Sequence, residues 1–136
     1  MEYRDHLSIQ VEGYSGKHAE IIKYAPQIFD LLGKLSLSTE IDLQDKKRLY
    51  LAIGYFVIPY DLYSEDTFGP IGYTDDMLLA IHVLNEIKKK HEIECILEHW
   101  DREFSIIENL INDQLPVLKK AYPKMFAKLK SYVAWD

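Results

Sequence analysis

The stretch "YFVIPYDLYSEDTFGPIGYTDD", residues 55–76, holds five carboxylates, Asp61, Glu65, Asp66, Asp75 and Asp76, among aromatic and aliphatic residues, with no Lys or Arg. Its punctuation is that of a connection between two helices. Pro59 lacks the amide hydrogen a continuing helix needs. Gly69 and Gly72 flank Pro70 in a turn pattern. Thr74 stands where it can cap a helix whose first turn carries Asp75 and Asp76, acidic residues placed favourably for the helix dipole.

Working outward, Asp42 and Asp45 form a capping-box-like start for a helix that Pro59 ends. Apolar residues fill almost every position from Leu49 to Ile58, so this helix is predicted to be enclosed by neighbours. The uncharged run Leu49–Tyr60 has 12 residues, short of the roughly 20 that span a bilayer. Upstream, Ile21, Ile22, Ala25, Ile28, Phe29, Leu32 and Leu35 recur at helical spacing. Pro26 lies inside that run and predicts a break near Tyr24, with the proline opening the second piece. Residues 1–16 show no sustained period and read as a flexible lead-in.

Downstream, Leu78, Leu79, Ile81, Leu84 and Ile87 give a third helix its inward face, and Lys88–Lys90 close its last turn. A fourth is predicted over residues 92–113, with Ile96, Leu97, Trp100, Phe104, Ile107, Leu110 and Ile111 as its stripe. The last runs over 115–133 on Leu118, Tyr122, Met125, Leu129 and Tyr132, kinked or divided by Pro123. No period-2 alternation competes, so the chain is predicted to be all-α, a compact bundle of about five helices forming a single domain over residues 17–136.

The 136 residues carry a net charge of −6, with 48% apolar and 28% charged residues, which favours one folded domain and disfavours nucleic acid as a partner. A lone Cys95 rules out an internal disulfide and sites built from several thiolates. Together with an N-terminus that lacks the charged and apolar regions of an export signal, it points to the cytoplasm.

From Lys34 to Ile87, and above all in "AIGYFVIPYDLYSEDTFGPIGYTDD", the chain resembles the DUF1232 (YkvA-like) family. That family shows an apolar helix ending in Tyr, then Pro-x-Asp, Pro-Asp, and Gly-Tyr-x-Asp-Asp opening the next helix. Tyr55, Pro59, Asp61, Gly72, Tyr73, Asp75 and Asp76 match in order and spacing. Ser64-Glu65 stands in place of the family's Pro-Asp, which keeps a carboxylate but loses the rigid proline. The resemblance covers a core of about residues 24–90 and leaves 91–136 as a helical extension. It implies a small helical domain, in some members close to membranes, with no established activity.

Asp61, Glu65, Asp75 and Asp76 are hard oxygen donors that together suit Mg²⁺ or Ca²⁺, although their spacing is not that of the 12-residue EF-hand loop. Each also has an ordinary role as turn former or helix-start charge, and no cofactor is expected. His99 and Glu103 are a turn apart but read better as a solvated helix face. His82 reads as a partly buried, hydrogen-bonded histidine, and His91 as a helix-terminal charge. Cys95 lies near Glu92, Glu94 and Glu98, which raise a thiol's pKa and argue against a nucleophile. Lys119, Lys120, Lys124, Lys128 and Lys130 surround the last apolar stripe, an arrangement that fits packing onto the domain better than contact with a membrane surface. The sequence therefore points to a non-enzymatic interaction or regulatory module for an as yet unnamed protein partner, with the acidic 59–76 loop as its specialised surface. Two alternatives stand beside it: a divalent-cation-dependent protein, hydrolases included, and a peripheral membrane protein held by the basic C-terminal helix.

Overall fold

The computed structural model describes residues 2–57 and 72–134. It is all-helical, and the chain forms 8 helices among these residues. In order they are α1 (Tyr3–Val11), α2 (Ala19–Ile22), α3 (Ala25–Ser36), α4 (Leu43–Val57), α5 (Thr74–His91), α6 (Glu94–Leu97), α7 (104–121) and α8 (Pro123–Val133). The count exceeds the five expected because prolines divide the first and last predicted helices, a tight turn divides the fourth and the N-terminal segment adds α1, while 104–113 and 115–121 join into one helix.

Pro26 sits in the first turn of α3, where its missing amide hydrogen is harmless, and the break falls at Lys23–Tyr24 as its position requires. Pro123 is likewise the first residue of α8. The single helix expected over 92–113 is instead interrupted after Leu97. There the indole of Trp100 turns inward and donates to the Glu103 carbonyl at 2.9 Å, a bond that closes a turn rather than extending a helix. By contrast, no break separates 113 from 115. Helix α7 passes through a π turn, Leu110–Gln114, in which the Leu115 amide bonds back to the Leu110 carbonyl. Pro116 follows at once. Having no N–H, it could not supply the ordinary bond to residue 112.

The lead-in expected at 1–16 contains α1, which packs on α3. Leu7 and Val11, four residues apart, are buried in the common core, Arg4 pairs with Asp30 at 2.9 Å, and the Tyr3 hydroxyl donates to the Phe56 carbonyl. Two apolar positions are too few to register as a period in sequence.

Helix α5 is the centre of the molecule, and α2, α3, α4, α6, α7 and α8 all pack on it. Every residue from Thr74 to Leu84 is buried. The enclosed helix is therefore α5 and not α4, whose Leu43, Tyr50 and Val57 are 67%, 53% and 48% exposed. Continuous apolarity in α4 reflects two faces with different fates, an inner one of Leu49, Ala52, Tyr55 and Phe56 and an outer one in solvent. The expected stripe on the C-terminal segment is met at Leu118 and Leu129, while Tyr132 faces solvent and Val133 takes its place inside.

Among the described residues, no helix is long and apolar enough to cross a membrane. Deleting residues 115–136 is expected to abolish the cooperative thermal transition. It strips Leu115, Leu118, Leu129 and Val133 from the core, side chains that contribute roughly 1.5–3 kcal/mol each, against a typical domain stability of about 5–15 kcal/mol. A melt of the truncated chain that keeps its cooperativity would show that α8 is an appendage.

Candidate functional site

Helices α4 and α5 run antiparallel, because the end of α4 meets the start of α5 at Tyr55 and Asp75, and the start of α4 meets the end of α5 at Asp45 and His91. Carboxylates fasten both ends. At the first, Tyr55 is buried and its hydroxyl donates to Asp75 Oδ2 at 2.7 Å, as a phenol taken out of water requires. Asp75 Oδ1 accepts from the Asp76 amide at 3.1 Å. Gly72 and Tyr73 are buried in the short turn that leads into α5.

Asp75 and Asp76 do lie in the first turn of α5, yet they are 0% and 1% exposed. They are interior groups, not solvated charges answering the helix dipole. Thr74 is the first helical residue, and the capping position falls to Tyr73. Of the carboxylates considered for a cation, the structure thus places Asp75 and Asp76 side by side. Asp61 and Glu65, with Pro59, lie outside the described residues.

The opposite end holds a denser cluster that sequence reasoning missed. Asp42 caps α4 by accepting from the Asp45 amide at 2.9 Å, as expected. The Asp45 carboxylate, however, does not reach back to complete a capping box. Only 1% exposed, it takes Arg48 Nη1 at 2.9 Å, Lys90 Nζ at 3.3 Å and His91 Nε2 at 3.2 Å. Lys90 also reaches Asp42 at 2.5 Å. That hydrogen bond, followed by the Asp45 amide, holds the Asp42 carboxyl below its usual range and raises the Lys90 ammonium in turn. Asp42, Asp45 and His91 offer ligand atoms within 4.8 Å of one another, but Lys90 and Arg48 already supply the positive charge that a metal would bring. The legible signal was Asp42-x-x-Asp45-x-x-Arg48 facing Lys90-His91, visible only once the two helices are known to be antiparallel.

A second group, Glu40, Cys95 and Glu98, also converges within 4.8 Å. Burial first, then Glu40 and Glu98, pushes the Cys95 thiol up, so it is held as a thiol and is a poor ligand and nucleophile. Glu40 is a tertiary neighbour that sequence proximity could not supply. His99 is half-buried beyond α6, separated from Glu103 by the turn at Trp100, and its Nε2 lies 3.7 Å from Glu98.

His82 departs from expectation too. It is 5% exposed, its ring meets Phe126 edge-on at 5.1 Å, and its Nδ1 has no hydrogen-bond partner among the described residues. Desolvation, partly opposed by Glu86 and reinforced by Lys119, Lys130 and Lys89, lowers its pKa to about 4.

Residues 45–81 match the family model described as "Protein of unknown function (DUF1232)". The matched segment begins at the buried Asp45, takes in Tyr55, and ends within the enclosed part of α5. The chain is also similar to "Uncharacterized protein ORF9" of Methanothermobacter thermautotrophicus, 26% identical over 117 residues that cover 82% of this chain and 80% of the relative. No solved structure matches. Over residues 45–81, then, an all-helical chain matches the DUF1232 model.

Two measurements follow from this geometry. Tyr55→Phe is expected to cost about 1–3 kcal/mol in urea denaturation, since it removes a buried hydrogen bond to a carboxylate. A loss within about 0.5 kcal/mol, the ordinary range for surface changes, would mean that the bond does not tie α4 to α5. For His82, the folded pKa lies below the unfolded value, so protons favour the unfolded chain. Its contribution is fully present above pH 6.5 and is lost as pH falls from there toward 4, by up to about 3 kcal/mol. Denaturation curves of wild type and His82→Phe at pH 7 and pH 4.5 should show the acid loss shrinking in the variant.

Proposed function

We propose that this protein is a non-enzymatic, cytoplasmic interaction module that binds a helical segment of a protein partner along the outer face of α4, next to the acidic 59–76 stretch. The observation that carries the reading is the stripe of Leu43, Tyr50 and Val57, one residue every two turns and each about half or more exposed. A helix whose other face supplies the core has no structural need of three large apolar residues in water, and such stripes are the seams by which helices meet helices. Lys46 and Lys47 flank the stripe on either side near its N-terminal end. The fitting partner is therefore an amphipathic helix with an apolar stripe of its own and acidic residues beside it, a charge match that selects partners and speeds encounter.

A photoreactive benzoylphenylalanine in place of Tyr50, in the intact chain expressed in its own cells, tests this. The expected product is a crosslink to one protein, through a peptide that is acidic and carries apolar residues at helical spacing. The same partner should appear from positions 43 and 57 but not from Glu20 on α2, and the yield should fall when Lys46 and Lys47 are both changed to Glu. A product containing only a second copy of this chain, or one indifferent to charge reversal, would overturn the reading.

The adjacent, fully buried Asp75 and Asp76 favour one further reading, a divalent cation held with Asp61 and Glu65. A melting temperature that climbs with Mg²⁺, Ca²⁺ or Mn²⁺, by mass action on the folded state, and no longer climbs in Asp76→Asn, would put the cation reading first.

A further inference from the structure

Where α4, α5 and α8 converge, away from the exposed stripe, lies a cleft of about 230 Å³ walled by Asp45, Arg48, His82, Glu86, Lys90 and Lys130. In a chain of net charge −6, its walls bear three cations against two carboxylates. Both carboxylates are already engaged, Asp45 by Arg48, Lys90 and His91, and Glu86 by Lys89 at 3.4 Å.

The cations are less fully used. Arg48 spends Nε on the Val133 carbonyl and Nη1 on Asp45, which leaves Nη2 without a partner among the described residues. Lys130, exposed on α8, makes no ion pair among them. His82 is more than nine-tenths buried, and its Nδ1 is likewise unpartnered among the described residues, a state that buried polar atoms rarely tolerate. The positive field reaches further. After burial, Lys89 and Lys130 are the neighbours that depress the Lys119 ammonium.

We propose that this cleft binds a small soluble molecule through an oxyanion group, phosphate or carboxylate, with Lys130 and Arg48 Nη2 pairing with its charge and the His82 imidazole completing its hydrogen bonds. The planar guanidinium and the point-like ammonium are the usual pair for such a group. A neutral imidazole can donate from whichever nitrogen carries its hydrogen, so the ligand sets the tautomer. Glu86 bars a second negative charge from its own wall and so orients the molecule with its anionic end toward α4 and α8.

The test is side-chain nitrogen NMR of the histidines in the intact chain, titrated with inorganic phosphate and, separately, with succinate at constant ionic strength. The His82 ring signals are expected to move saturably with one of the two, which names the class. Lys130→Gln should raise the apparent Kd about tenfold, the loss of one charge-assisted hydrogen bond. Lys124→Gln, at another exposed site on α8, should leave it unchanged. Both variants are at solvent positions, and unchanged melts confirm that they fold. No saturable shift with either anion, or equal weakening by the two variants, would overturn the proposal, because general charge attraction treats every surface lysine alike.

Discussion

Enclosing α5 on every side obliges each polar group in its first three turns to find its partners inside the protein. An isolated buried carboxylate is costly enough to neutralise or to prevent folding, so Asp75 and Asp76 constrain whatever surrounds them. Tyr55 is one answer, and it comes from the helix that must pack antiparallel for the phenol to arrive. The orientation of α4 on α5 is in this sense specified chemically at one end and then confirmed at the other, where Asp42 and Asp45 meet Lys90 and His91. A hydrophobic interface tolerates sliding by a residue or two; a pair of polar fasteners one helix length apart does not.

Much of this was legible from residues alone. The all-α class, the breaks at Pro26 and Pro123 and the Asp42 cap follow from local rules that the tertiary structure had no reason to override. Three features were not legible, for distinct reasons. Helix α1 offers only Leu7 and Val11 to the core, below what a periodicity can register. From Leu49 onward both faces of α4 carry large apolar side chains, so composition could not tell which one meets water. The Asp45 cluster joins residues some 46 positions apart in sequence, each of which has a sufficient local explanation as cap or dipole charge.

The candidate site shows the same division. Asp75 and Asp76 do open a helix, but in a buried environment that position alone does not reveal, because acidic residues at a helix start are ordinarily solvated. His82, set among apolar residues, was expected to be satisfied. That its Nδ1 has no partner among the described residues emerges only from the tertiary structure, where its ring meets Phe126. The DUF1232 match over residues 45–81 begins at the buried Asp45 and ends midway along α5, so Asp45 and Arg48 of the cleft lie within it, whereas His82, Glu86, Lys90 and Lys130 lie beyond it.

The π turn in α7 has a consequence for how this chain can change length. One extra residue in a helical turn rotates everything after it by about 100°, so Leu110 and Ile111 at the start of the turn and Leu115 and Leu118 after it can all face α5 only while that residue is retained. Removing a single residue between 110 and 114 would restore regular α-helical bonding up to Pro116, yet swing the buried leucines of the second half into solvent. Substitutions can accumulate in this segment, but its residue count is fixed by geometry, and related chains should carry their insertions and deletions elsewhere.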